Sequence, residues 1–375
     1  MRFAVTEQDT ALAEAAGEVL AKQAGAEQIR AGWPGGRTES VDAVWRTLAG
    51  VGVTGALVPE NADALTLGPS PGPGLGLGLD ENALPPLMEM LGRSGLPVPA
   101  AEIVAVGAPL LAAAGAPQLP SVLEGSALLT VSLAPDAPVP FGARADLIAV
   151  PHGDGLRLYS REEVETEPVD SVDCSRRLAR VHAPAGGGLL LAEGPAELAA
   201  AYGRGVLATA ALLLGLAGRM LELTLAHVRE RHQFGVPVGS FQAVKHALAD
   251  VELAVRFARP AVLAAGWAQA AGDPETAVRT SMAKVLASEA ARKAARTAIQ
   301  CHGAMGYTTE YDLHLYAKRA WALAADWGGP AQHREFIARR LGLAGGRTVQ
   351  EATEESRANG GAAAGPGIVS EGAGT

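Results

Sequence analysis

From Pro195 to His302 the chain keeps a helical apolar pattern with only short interruptions, and this limits the fold more than any other feature. The pattern predicts three long helices: Pro195 to Arg231, Phe241 to about Ala271 with a kink at Pro260, and Pro274 to His302. Proline stands in the first turn of the first helix, where its missing N–H costs nothing. Two further helices follow, Tyr311 to Ala325 and Gln332 to Leu343. The joints are short, so neighbouring helices should run antiparallel in a bundle. Apolar residues make up 48% of the chain but aromatics only 4%, so the core is Ala, Leu and Val, which suits close helix packing.

Upstream the texture differs. Thr6 to Ala24 has helical spacing and an acidic first turn, and Val41 to Ala49, Leu84 to Gly92 and Ala100 to Ala114 read as further helices, the last kinked at Pro109. Gly68-Pro-Ser-Pro-Gly-Pro-Gly74 reads as a loop. After Pro120 come short runs bounded by Pro, Asp and Gly, at Ala127–Leu133, Leu147–Val150, Gly155–Tyr159, Val164–Pro168 and Ala179–His182, which read as strands. The expected class is α+β, mostly α. A helical region spans 1–120, a small β region 121–193 and a four-helix bundle 194–345, with a disordered Gly/Ala/Ser/Glu tail at 346–375.

Several functions are excluded on this basis. The net charge of −9 and the lack of a Lys/Arg run argue against nucleic-acid binding. Residues 1–7 lack the apolar segment of a signal peptide. The uncharged run Ile103 to Leu123 is broken by three prolines, and Gly205 to Gly218 falls short of the ~20 residues a membrane span needs. Two distant cysteines, Cys174 and Cys301, give no disulfide framework. A cytoplasmic protein is expected. No metal-ligand pattern is present, and Cys301-His302 reads as a buried pair in a turn rather than a ligand pair. The run Gly72-Pro-Gly-Leu-Gly-Leu-Gly78 lacks the preceding strand that a dinucleotide fingerprint needs, so it reads as a loop between helices.

Two segments carry more chemistry. Arg229-Glu-Arg231-His-Gln-Phe234-Gly-Val-Pro-Val-Gly-Ser-Phe241-Gln242 places a guanidinium, two amides and two aromatics at one interhelical turn. Arginine fits phosphate bidentately. Gln300-Cys-His-Gly303-Ala304-Met-Gly306-Tyr307 adds an amide and two glycines that let backbone approach a ligand. Singly, each also fits an ordinary joint, a surface turn in one case and a glycine-ended helix in the other.

Together the two segments resemble the C-terminal flavin motifs of the acyl-CoA dehydrogenase family. Pro59-Glu60 with Gly74-Leu-Gly-Leu77 is similar to that family's N-terminal Pro-Glu…Gly-Gly-Leu-Gly stretch, and the α-β-α order agrees. The resemblance covers roughly residues 5–343 and is strongest over 195–320. It implies that Arg231, Phe234 and Gln242 from one turn, and Gln300, Gly303 and Ala304 from the other, contact an FAD seated mainly on a neighbouring subunit. Ala304 stands where the family usually has a second glycine.

The resemblance also exposes departures. The family's Thr-Glu-x-x-x-Gly-Ser loop and Trp-Ile-Thr/Ser strand, which hold the flavin ring, are missing; Thr166-Glu167-Pro168 matches only the start of the first and lies too late. Gap-free counting from Gln300 puts Trp327 at the family's usual catalytic glutamate, with Asp326 beside it as the one candidate carboxylate. Counting back from Phe234 puts Gly205 at the alternative base position, next to Arg204. No catalytic residue is assigned from sequence. These features imply the subunit of a hetero-tetramer whose related partner supplies flavin-ring site and base. Two-subunit α2β2 members, some acting on steroid side chains or bulky acyl groups, show this division. The implied substrate is an acyl-CoA, the cofactor FAD, and the electron acceptor an electron-transfer flavoprotein or similar protein. The alternatives are a self-sufficient homomeric dehydrogenase using Asp326, and a non-catalytic helical scaffold or binding protein.

Overall fold

The computed structural model describes residues 6–343 apart from 61–75, 154 and 185. The expected loop at 68–74, most of the Gly72–Gly78 run and the expected tail at 346–375 lie outside the described residues. Helix α1 (Glu7–Gln23) opens on a capping box, Thr6 Oγ1 accepting from the Asp9 N–H while the Asp9 carboxylate accepts from the Thr6 N–H. Short α2 (Ala26–Ala31), α3 (Glu39–Gly50) and α4 (Leu84–Ser94) follow.

The stretch expected as one kinked helix from Ala100 divides into a π-helical segment, Ala101–Gly107, and α5 (Ala108–Ala113). Pro109 explains the break. It has no N–H for the Ala105 carbonyl four residues back, and Arg204 Nε donates to that oxygen instead at 2.8 Å. The region expected to be β from 121 begins inside a further short helix, α6 (Leu119–Leu123).

Six strands then form two small sheets. β1 (Leu129–Val131), β2 (Leu147–His152), β3 (Gly155–Ser160) and β6 (Leu189–Glu193) make one sheet in the order β1-β2-β3-β6, with β1 and β2 parallel and the rest antiparallel. β4 (Glu165–Pro168) and β5 (Ala179–His182) pair separately. Alternate residues of β2 and β3 face opposite ways, as a two-residue period requires. Leu147, Ala149, Leu156 and Leu158 join the main core, whereas Ile148, Val150 and Tyr159 join a smaller cluster with Val139, Ala145 and Val164.

The C-terminal part is mostly helical: α7 (Pro195–Glu230), α8 (Gln242–Ala270), α9 (Thr276–His302), α10 (Leu313–Ala325) and α11 (Pro330–Arg340). Pro260 sits inside α8 without ending it. Helix α9 packs on α7, α8, α10 and α11, and α7 packs on α4. Glycine sets that last contact. A Cβ on Gly215 would fall on the Glu89 carbonyl oxygen, and one on Gly92 would fall on that of Leu212. Helix α7 is long and apolar enough to cross a bilayer, but 78% of its most apolar window is buried within the fold, as in a core helix.

Candidate functional site

The two segments singled out in the sequence meet at one end of the bundle. After α7 the chain makes a small hairpin, His232–Gln233 against Val236–Pro237, rather than the plain turn expected. Phe234 and Gly235 form its tip with φ of 54° and 78°, the twist a two-residue hairpin favours. This puts the Phe234 ring in solvent, 91% exposed, with Phe241 edge-on to it at 6.3 Å. Arg231 and Gln242 are also exposed.

At the second segment, Cys301-His302 forms the last turn of α9 rather than a separate turn, so His302 is buried. Gly303 ends the helix at φ 59°, with open space where a Cβ would stand. Gln300, Gly303 and Ala304 are exposed, and Tyr307 projects with 80% exposure. The rings of His227 and His302 stack at 4.2 Å, so the ends of α7 and α9, which lead into the two turns, adjoin. A guanidinium, exposed aromatics, two amides and an uncovered glycine backbone fit the phosphates and rings of a dinucleotide.

Upstream, the two halves of the Pro-Glu…Leu-Gly-Leu stretch lie side by side. Leu77 N–H donates to the Gly55 carbonyl and Gly78 N–H to that of Val58. A Cβ on Gly76 would strike the Pro59 carbonyl oxygen.

The two positions considered for a base touch each other. A Cβ on Gly205 would come 2.5 Å from Cε3 of Trp327, so the glycine of α7 makes room for the indole. Trp327 is buried, with its backbone at φ 50°. Its carbonyl accepts from Tyr202 Oη at 2.9 Å, and His333 Nε2 lies 3.0 Å from the same oxygen. The surrounding turn is held from beneath by Lys284, fully buried on α9. Its Nζ donates to the carbonyls of Leu323, Ala324, Asp326 and Gly328 at 2.8 to 3.2 Å. Burial pushes that ammonium down to about 7, and the Asp326 charge opposes the drop.

Asp326 is partly buried and is not free. Its Oδ2 lies 2.6 Å from Nη2 of Arg176, itself 5% exposed. Nearby, Arg319 Nε lies 3.4 Å from Asp173 Oδ2, and its Nη1 donates to the Gly95 and Leu96 carbonyls. Glu102, on the π-helical segment, completes the group. Burial, reinforced by the Asp326 charge, raises its carboxyl to about 7, against the pull of Arg176 and Arg319. Two clefts flank the Trp327 turn. One of about 490 Å³ is lined by Tyr202, Gln269, Ser281 and His333; the other, of about 470 Å³, lies between residues 131–140 and 325–328. Sequence reasoning missed Lys284, Arg176, Glu102, Arg319, Tyr202 and His333.

Comparison with known proteins places the chain by family and fold. The acyl-CoA dehydrogenase C-terminal domain matches residues 195–342. The acyl-CoA dehydrogenase IpdE2 of Mycobacterium tuberculosis is 34% identical over 312 residues, 82% of this chain and 89% of that protein. A chain of a Tcur3481-Tcur3483 steroid ACAD variant superposes with a TM-score of 0.76 at 27% identity, covering 90% of this chain and 99% of that one. A chain of the ChsE4-ChsE5 complex from Mycobacterium tuberculosis gives 0.75 at 22% identity, over 92% and 100%, a likeness of fold alone.

Proposed function

The chain belongs to the acyl-CoA dehydrogenase family, and from that premise we propose that it is the base-less subunit of a hetero-tetrameric enzyme that dehydrogenates an acyl-CoA thioester between its α and β carbons. The observation that carries this reading is the contact between Trp327 and Gly205. An indole cannot take a proton from the substrate α-carbon, and glycine has no side chain to do so. The adjacent carboxylate, Asp326, is engaged by Arg176. The base and the flavin-ring site then come from a related partner subunit.

FAD, when bound, supplies the acceptor for the hydride that leaves the β-carbon. This chain would hold the dinucleotide end of it through Arg231, Phe234, Gln242, Gln300, Gly303 and Ala304. Arg231 would offset phosphate charge, and the glycine and alanine would let backbone approach. Trp327, on a turn held by Lys284, Tyr202 and His333, fills the place where a base would stand. Reducing equivalents would pass to an electron-transfer flavoprotein or a similar acceptor. The likeness to a steroid ACAD supports a bulky acyl group. The free thiols of Cys174 and Cys301 suit residence in the cytoplasm.

The test is purification of this chain alone and co-expressed with a second acyl-CoA dehydrogenase chain from the same source. Expected are a colourless protein alone and a yellow complex carrying one FAD for each pair of unlike chains. A yellow, active homomer with one FAD per chain would replace this reading with the self-sufficient enzyme. A colourless chain that captures no partner would leave the scaffold reading.

A further inference from the structure

The two exposed turns that carry the candidate cofactor residues are joined by a pair of histidines, His227 in the last turn of α7 and His302 in the last turn of α9. Their rings are nearly parallel, 21° apart, with centroids at 4.2 Å. Tyr311 closes the group, its ring 4.8 Å from that of His302 and 6.2 Å from that of His227. Each histidine is tied to its own turn by backbone. The His227 carbonyl accepts from the Arg231 N–H at 2.9 Å. His302 directly precedes Gly303, whose N–H donates to the Gln300 carbonyl.

The hydrogen bonding fixes one protonation state. His302 Nδ1 is 2.8 Å from the Ala298 carbonyl oxygen, so Nδ1 carries the proton and donates it. Its Nε2 is then a bare acceptor, buried and with no partner. A second proton there would place an N–H in a dry site with nothing to receive it. It would also set an imidazolium against the neighbouring ring of His227, which already feels the Arg231 charge. The charged and titratable groups facing the pair are Arg231 and Glu230 at the end of α7, and Tyr311 ahead of α10, itself near Asp312 and Arg219.

We propose that the His227–His302 pair is a proton-sensitive clasp, which when neutral holds the two turns as one surface and when protonated lets them separate. The direction follows from linkage. Burial is the first cause lowering the pKa of both rings. A ring that binds its proton less readily in the closed arrangement binds it more readily in the open one, so acid favours the open arrangement. A one-unit difference between the two is worth about tenfold in their equilibrium. The consequence for FAD rests on the function proposed above; the coupling of the turns does not.

The test is an NMR titration of the full-length, isotope-labelled chain from about pH 7.5 to about pH 5.5, on either side of the ordinary histidine value near 6.5. Expected is one acid transition shared by His302 and the amides of Phe234, Gly235, Gly303 and Ala304. The variant His302→Phe keeps a flat ring and should lose that shared transition. His227→Phe, at a half-buried position with less at stake for folding, should lose it too. Amides that do not respond in the wild type, or that respond equally in both variants, overturn the clasp. FAD fluorescence titrations of the complex with the co-expressed partner chain, at the two pH values, give the second readout. Weakening of about tenfold or more at the lower pH, absent in His227→Phe, supports the link to the cofactor residues. FAD that binds at neither pH, with the shared transition intact, counts against the proposed function and leaves the clasp standing.

Discussion

Trp327 adopts a backbone conformation that costs a bulky residue about 1–2 kcal/mol, and it is held there by contacts from three helices. Lys284 comes from α9, Tyr202 and the space left by Gly205 from α7, and His333 from α11. A strained turn restrained from so many sides is a shaped feature of the site. Glu102 is the other residue out of its ordinary state, and it makes a stability prediction. Its carboxyl titrates at about 7 in the fold against 4.5 when exposed. Between those values the folded chain keeps a proton that the unfolded chain has lost. Wild-type stability should therefore fall as pH rises through that window and level off above it. Glu102→Gln keeps the shape and removes the titration. Urea unfolding should show the variant gaining on the wild type by up to about 3 kcal/mol between pH ~5 and pH ~8. A difference that stays constant with pH would mean that Arg176 and Arg319 hold Glu102 ionised.

At the scale of elements, the contact between α4 and α7 depends on two glycines, and it predicts opposite outcomes for two similar substitutions. A Cβ on Gly215 would meet backbone atoms of Glu89 and Arg93, which cannot swing away. Gly215→Ala should destabilise by about 1–3 kcal/mol or more in urea unfolding, as overpacked cores do. Gly218, three residues on, has only the far end of the Arg93 side chain near it, at 3.9 Å. There alanine should stabilise by about 0.5–1 kcal/mol through helix propensity. Equal effects at the two sites would mean that α4 and α7 are not in backbone contact. The long helices were legible because their apolar residues recur at helical spacing between proline and glycine signals. Helices α2 and α6 were missed because five or six residues carry too little periodicity. Strand β6 was missed because Leu189 and Leu190 are both exposed and do not alternate. Lys284 left a trace that could have been read. It stands four residues from Thr280 and from Ser288, in the buried stripe of Ala283, Ala287 and Ala291. Arg176 left none, since its partner Asp326 is 150 residues away and its own loop has no period.

Across the whole molecule, the buried charges tie the three regions together where they meet the Trp327 turn. Arg319 of α10 binds the Gly95 and Leu96 carbonyls after α4 and lies beside Asp173 of the β region. Arg176 of the β region binds Asp326 at the end of α10. Glu102 senses both arginines and Asp326. The network therefore separates what Asp326 does for the fold from what it would do as a base. Removing one partner of a buried ion pair usually costs about 3–5 kcal/mol, because the other charge is stranded. Here Asp326→Asn also removes the negative charge that reinforces burial in keeping Glu102 protonated, so Glu102 ionises more readily and faces Arg176 in its place. The single variant should then lose less, about 1–3 kcal/mol, and adding Glu102→Gln should bring the pair to the full cost. A double-variant cycle in urea measures this, and strict additivity would show that the two carboxyls do not share Arg176. Catalysis gives the independent reading. In the assembled enzyme, single-turnover reduction of FAD by an acyl-CoA should keep nearly its wild-type rate in Asp326→Asn at equal FAD content. A positioned general base contributes about 10²–10⁴-fold, so its loss could not be mistaken for a packing defect. A collapse of that size would make Asp326 the base despite Arg176 and move the chain to the homomeric reading. A retained rate would direct the search for the proton acceptor to the partner chain, opposite Trp327.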